Sequence, residues 1–174
     1  MTTRARADDV ARRVFVGHLS REVLLARLHA SGTLLNEHAN TLLDDSAFDD
    51  VGEGEVISIA ERSVAAIGLA DGATLTQIYA RATCQGLLLC PAVAGPYLRF
   101  ALAQQQSAPD SVLSSGRAPT GSVTVAARAL REDDEFPKGF YLRTIDGKPW
   151  LRGFRCDDQH LWSPADRFIF RTPE

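Results

Sequence analysis

The stretch Phe140-Tyr141-Leu142-Arg143-Thr144-Ile145-Asp146-Gly147-Lys148-Pro149-Trp150-Leu151-Arg152-Gly153-Phe154 decides how the chain is read. Apolar and polar residues alternate on either side of Asp146-Gly147. An Asp-Gly pair between alternating runs marks a two-residue hairpin, because a type I′ turn needs positive φ at both central positions. That turn pairs Ile145 with Lys148, Thr144 with Pro149, Arg143 with Trp150 and Tyr141 with Arg152. Pro149 then falls where no N–H is asked of it. A four-residue loop would set Arg143 against Arg152, like charge facing like charge.

The two-residue register sorts the hairpin into faces. Phe140, Leu142 and Leu151 point to the core. Tyr141, Arg143, Trp150, Arg152 and Phe154 share the other side, where Arg over Trp or Tyr contributes about 0.5–1 kcal/mol as an exposed cation–π contact. Such a face is either a self-satisfied ladder covered by another element or a binding surface for a protein partner or a small anionic ligand. Arg and aromatic side chains are what binding hot spots are made of.

Outward from the hairpin, Arg167-Phe168-Ile169-Phe170-Arg171 predicts a last strand that sends two phenylalanines inward. Ser163-Pro164-Ala165-Asp166 before it has the form of a capped turn. Val123 and Val125 open another strand, and Val56-Ile57-Ser58-Ile59-Ala60 is a short β-branched run. Leu98, Phe100 and Leu102 alternate with Tyr97, Arg99 and Ala101, which predicts a strand over 97–102. Leu87 to Cys90, ended by Pro91, predicts a buried strand. Thr74-Leu75-Thr76-Gln77 is a capping box opening a helix that closes at Gly86.

Ser20 caps a helix with the stripe Leu24, Leu25 and Leu28, broken at Ser31-Gly32. Leu34, Leu35, His38, Ala39, Leu42 and Leu43 continue at helical spacing. Ala7, Val10, Ala11, Val14 and Phe15 also recur at helical intervals and predict an N-terminal helix. Residues 104–120, rich in Gln, Ser, Ala, Pro and Gly, predict a long mobile loop that could serve as a lid. The expected fold is one α+β domain over 1–174, a mostly antiparallel sheet covered by N-terminal and central helices.

The chain has 174 residues, with 19 Lys and Arg against 22 Asp and Glu, for a net charge of −3. This length can bury a sizeable core without a metal or disulfide staple. The composition excludes global disorder, collagen-like sequence and a disulfide-dense miniprotein. From Asp44 to Glu61 every charge is acidic, which reads as a solvated loop, whereas the chain after Phe136 turns basic. The overall acidic balance weighs against nucleic acid as a partner. No signal peptide or membrane span is read, so the expected location is the cytoplasm. The odd count of three cysteines, without a CxxC pair, argues against a disulfide framework and a zinc site.

Chemistry-bearing constellations are few. His160 follows Asp157 and Asp158 and could form an acid–base pair with one of them, the basis of an alternative reading as a small hydrolase or transferase. His29 and His38, with Glu37, lack the HExxH spacing of a metal site. Cys90 would need a base brought near it to act as a nucleophile. GxSxG, GxxxxGK[ST] and GxGxxG are all missing, and no cofactor or metal is expected. The primary expectation is therefore a non-catalytic binding or regulatory module that uses the hairpin's outer face.

The blocks Gly68-Leu69-Ala70-Asp71-Gly72-Ala73-Thr74, Gly86-Leu87-Leu88-Leu89-Cys90-Pro91, Pro137-Lys138-Gly139-Phe140-Tyr141-Leu142-Arg143 and Trp150-Leu151-Arg152-Gly153-Phe154 resemble a bacterial protein family of no established activity. Some of its members carry the label helicase. The resemblance covers about Leu34 to Phe170 and implies no substrate or catalytic residue. The chain departs from it at Lys148-Pro149, where similar proteins are apolar. It has no Walker A motif, and its length cannot hold paired motor domains.

Overall fold

The computed structural model describes residues 11–108, 118–119 and 121–174. Seven strands form one sheet: β1 (Arg12–Val16), β2 (Leu34–Leu35), β3 (Glu55–Ser63), β4 (Val123–Val125), β5 (Gly139–Ile145), β6 (Lys148–Phe154) and β7 (Arg167–Thr172). Their order is β1-β3-β7-β4-β5-β6-β2. Four α-helices accompany them: α1 (Arg21–Ala30), α2 (Glu37–Leu43), α3 (Leu75–Cys84) and α4 (Ala94–Ala101). The fold is α+β, but the sheet is mixed instead of mostly antiparallel. β2 runs parallel to β6, and β4 runs parallel to β7. Turn chemistry dictates only the pairing of strands joined by a tight turn. The parallel pairs join segments far apart in sequence, so no local signal announces them.

The hairpin follows its turn. Asp146 and Gly147 have φ of 50° and 75°, as a type I′ turn requires. The register is Ile145↔Lys148, Thr144↔Pro149, Arg143↔Trp150, Leu142↔Leu151 and Tyr141↔Arg152. The caps also match expectation. Ser20 Oγ accepts from Val23 N at 3.3 Å. Thr74 and Gln77 satisfy each other's main-chain N–H at 3.3 and 3.0 Å.

Four segments depart from expectation. Arg12–Val16 is a strand and not a helix; Val14 and Val16 are buried while Arg13 and Phe15 are exposed, which is period two. The helical spacing also drew on Ala7 and Val10, which lie outside the described residues, as does most of the predicted 104–120 loop. Leu34 and Leu35 belong to β2, and α2 begins only after Asn36. Residues 94–101 form α4 instead of a strand. Every residue from Ala94 to Arg99 is buried, so no polar face displays the 3.6-residue period. Pro96 fits in the first turn, where its missing N–H costs no intrahelical bond. The predicted strand at Leu87–Cys90 reduces to isolated bridges, Leu88↔Arg171 and Cys90↔Ala127.

Alternation along β7 separates two cores. Ile169 packs with Leu24, Leu42, Leu98, Leu142 and Leu151. Phe168 and Phe170 pack with Ile78 and Ala82 of α3 and with Trp162. Successive residues of a strand point to opposite faces, so the sheet is packed on both sides here. Each buried phenylalanine contributes about 1.5–3 kcal/mol. Two glycines allow close approach to the first core. A Cβ on Gly95 of α4 would lie 2.5 Å from the Phe140 ring, and one on Gly153 of β6 would lie 2.6 Å from the His38 main chain.

Candidate functional site

The register builds a row of side chains across four strands. Thr124 of β4 pairs with Phe168 of β7 and Tyr141 of β5, and Tyr141 pairs with Arg152 of β6. This row lies on the face opposite Leu142 and Leu151. A cleft of about 350 Å³ opens over it, with Thr124, Tyr141 and Phe154 among its lining residues.

The walls come from distant parts of the chain. Asn36 and His38 enter from the start of α2, Arg155 and Cys156 from the chain just after β6, and His160 and Trp162 from the segment before β7. Asn36 fastens the first wall. Its amide exchanges two hydrogen bonds with Gly153, Nδ2 to O at 3.0 Å and N to Oδ1 at 2.8 Å, while Oδ1 also caps α2 at Ala39 N. Trp162 is held by reciprocal main-chain bonds with Ala73 of 3.2 and 2.8 Å. Gly72 makes that approach possible, since it has φ of +83° and a Cβ there would sit 2.4 Å from Trp162 O.

The rings around Trp162 meet edge to face. Phe154 lies 5.5 Å away at 85°, and His160 lies 5.3 Å away at 90°. This T-shaped geometry is favoured by the ring quadrupole. The result is an aromatic corner. Among the described residues neither the His38 nor the His160 imidazole makes a hydrogen bond with protein.

The residues singled out from the sequence separate into groups. Tyr141, Phe154 and His160 meet in the cleft. Trp150 and Arg152 stand beside it, with the Arg152 guanidinium 4.1 Å from the centre of the Trp150 ring. Arg143 does not present a surface; the residue is 1% exposed, which removes it from the recognition face expected of it. Asp157 and Asp158 line a different cleft of about 530 Å³. Asp157 instead caps Gln159 N at 2.9 Å. Among the described residues no hydrogen bond links His160's imidazole to either aspartate.

Sequence reasoning missed Trp162, Asn36, His38 and Arg155 as parts of one site. The Asn36–Gly153 bond spans 117 residues, and nothing local to either residue signals it. The Asp71-Gly72 turn was legible, but its contact with Trp162 was not.

Cys156 belongs to the walls of both clefts. Burial pushes its thiol up to about 11, with Lys138 working against the rise and Asp157, Asp158 and Asp134 adding to it. A thiol held protonated is a weak nucleophile. Among the described residues no group of three or more His, Cys, Asp or Glu gathers as a metal site. No helix among them is long and apolar enough to cross a membrane. No family model, curated protein or solved structure matches the chain.

Proposed function

We propose that the chain is a non-catalytic binding module and that its site is the cleft on the outer face of the β5–β6 hairpin, which takes a small molecule. The observation that carries this reading is the convergence of Tyr141 and Phe154 with Trp162 and His160 in one concavity of about 350 Å³. Small-molecule sites are concave and mainly apolar, with a few placed polar groups. The Trp150–Arg152 stack beside the cleft is half-buried on both side chains and does not line that concavity.

The alternative is a small hydrolase or transferase using His160 with Asp157 or Asp158. The place of His160 in the cleft favours it, and the separation of both aspartates into another cleft counts against it. A fragment screen followed by amide chemical shifts tests the binding reading. Hits should perturb Thr124, Tyr141, Gly153 and the Trp162 indole together. Hits scattered elsewhere, with none at these residues, would overturn it.

A further inference from the structure

We infer that the ligand of this cleft is a planar aromatic molecule carrying an anionic group, an inference that rests on the binding reading above. The first argument is charge. The protein is acidic overall, with a net charge of −3, and two neighbouring clefts include carboxylates in their walls. Glu132, Asp157 and Asp158 line one, and Glu61 and Asp166 line the other. Among the described residues lining the hairpin cleft there is no Asp or Glu, but there are one arginine and two histidines. A concavity whose described lining carries no carboxylate and includes cationic or neutral donors favours an anion over a cation.

The second argument is the state of those donors. Arg155 is bound by Glu135 Oε2 through Nη1 at 2.9 Å, and Glu135's side chain is 86% exposed. The guanidinium has five donors in a planar fork, and among the described residues only Nη1 is engaged. The imidazoles of His38 and His160 have no hydrogen-bond partner among the described residues. An anion gives all three side chains something to bind at little cost, because the competing Glu135 contact is a solvent-exposed ion pair.

The third argument is shape. Trp162 with Phe154 and His160 forms perpendicular ring pairs. A flat ring entering such a corner stacks on one face and meets another edge-on. The cleft's volume equals that of about a dozen waters at about 30 Å³ each, which suits a bicyclic aromatic carboxylate.

The test uses three naphthalene probes that differ in charge, naphthoate, naphthamide and naphthylmethylammonium, titrated calorimetrically into the intact protein. Naphthoate should bind about tenfold more tightly than naphthamide, as expected for one charge-assisted contact, and the ammonium probe should be weakest. Arg155→Gln should erase most of the naphthoate preference over naphthamide. Glu135→Gln should strengthen naphthoate binding about threefold by releasing the fork. Equal binding of naphthoate and naphthamide, or a preference that survives both Arg155→Gln and the double change His38→Gln/His160→Gln, would overturn the anionic ligand class while leaving the cleft a binding site. Failure of all three probes alongside fragment hits in the cleft would also overturn this inference alone. Failure of every probe and every fragment at the cleft would overturn the binding reading with it.

Discussion

Arg99 Nη1 donates a 3.1 Å hydrogen bond to the carbonyl oxygen of Trp150, joining the last turn of α4 to the hairpin. The same nitrogen reaches Arg143 O at 3.3 Å and Gln105 Oε1 at 2.8 Å, and Nη2 reaches Leu102 O at 2.7 Å. Arg99 is 2% exposed, and among the described residues no carboxylate pairs with it. Its charge is solvated by carbonyl dipoles, and burial still lowers its pKa to about 10. Hydrogen bonds to a charged group contribute about 1.5–3 kcal/mol each, but removing the guanidinium also removes its desolvation penalty.

Arg99→Met should therefore lose about 2–3 kcal/mol, less than the sum of its bonds. Arg99→Lys should recover only part of that, because one ammonium cannot span acceptors placed for a fork. Urea unfolding measures both. An unchanged midpoint for Arg99→Met would show that the carbonyls do not need the cation.

The two close-approach glycines should respond differently. A Cβ on Gly95 meets the Phe140 side chain, and one on Gly153 meets the His38 and Ala39 main chain. Gly95→Ala should cost about 1–3 kcal/mol by overpacking, and Phe140→Leu in the same chain should give part of that back. Gly153→Ala has no side chain to yield. It should cost more and also weaken cleft binding, because it displaces Asn36. A rescue of Gly153→Ala by any trimming of neighbouring side chains would contradict this geometry.

Thiol chemistry should rank by burial. Cys84 is exposed, Cys90 buried and Cys156 half-buried. At pH 8 one thiol should react rapidly with a disulfide reagent, and all three should react after denaturation. Burial pushes Cys90 up to about 12 from the ordinary 9.0, with Arg171 opposing it. Between about pH 9 and 12 the folded chain keeps a proton there that the unfolded chain has lost. This contribution to stability is complete below about pH 9 and declines as pH rises through the window. Tyr79, also raised by burial, acts with the same sign. Unfolding midpoints of the protein and of Cys90→Ala across this range check the point. The variant should show the shallower alkaline decline, and equal slopes would refute it.

Trp150 and Trp162 are the only tryptophans, and only Trp162 lines the cleft. In Trp150→Phe the remaining emission should therefore respond to cleft ligands. Trp150→Ala and Arg152→Ala should leave the affinity of those ligands within about twofold, whereas Tyr141→Ala or Phe154→Ala should lower it about tenfold, the loss expected when an aromatic wall is removed. The reverse pattern would move the site onto the Trp150–Arg152 stack.

What could be read from the residues alone was what neighbouring residues decide among themselves. Asp146-Gly147 set a turn, the turn set a register, and the register put Tyr141 and Phe154 on the face away from Leu142 and Leu151. Ser20 and the Thr74–Gln77 pair marked helix starts because each cap closes within three residues. Periodicity failed where burial was total. The helix carrying Arg99 has no wet side to display a 3.6-residue repeat, and the short alternation in Arg12–Val16 could be absorbed into a helical pattern drawn from its neighbours.

Tertiary packing alone decided the rest: the parallel partners of β2 and β4, the burial of Arg143, and the meeting of Asn36, His38, Arg155 and Trp162 around the hairpin. Each depends on contacts between segments far apart along the chain, such as Asn36 with Gly153. Their free energy is gained only when both partners are already in place, so neither partner's local sequence carries a trace of the other.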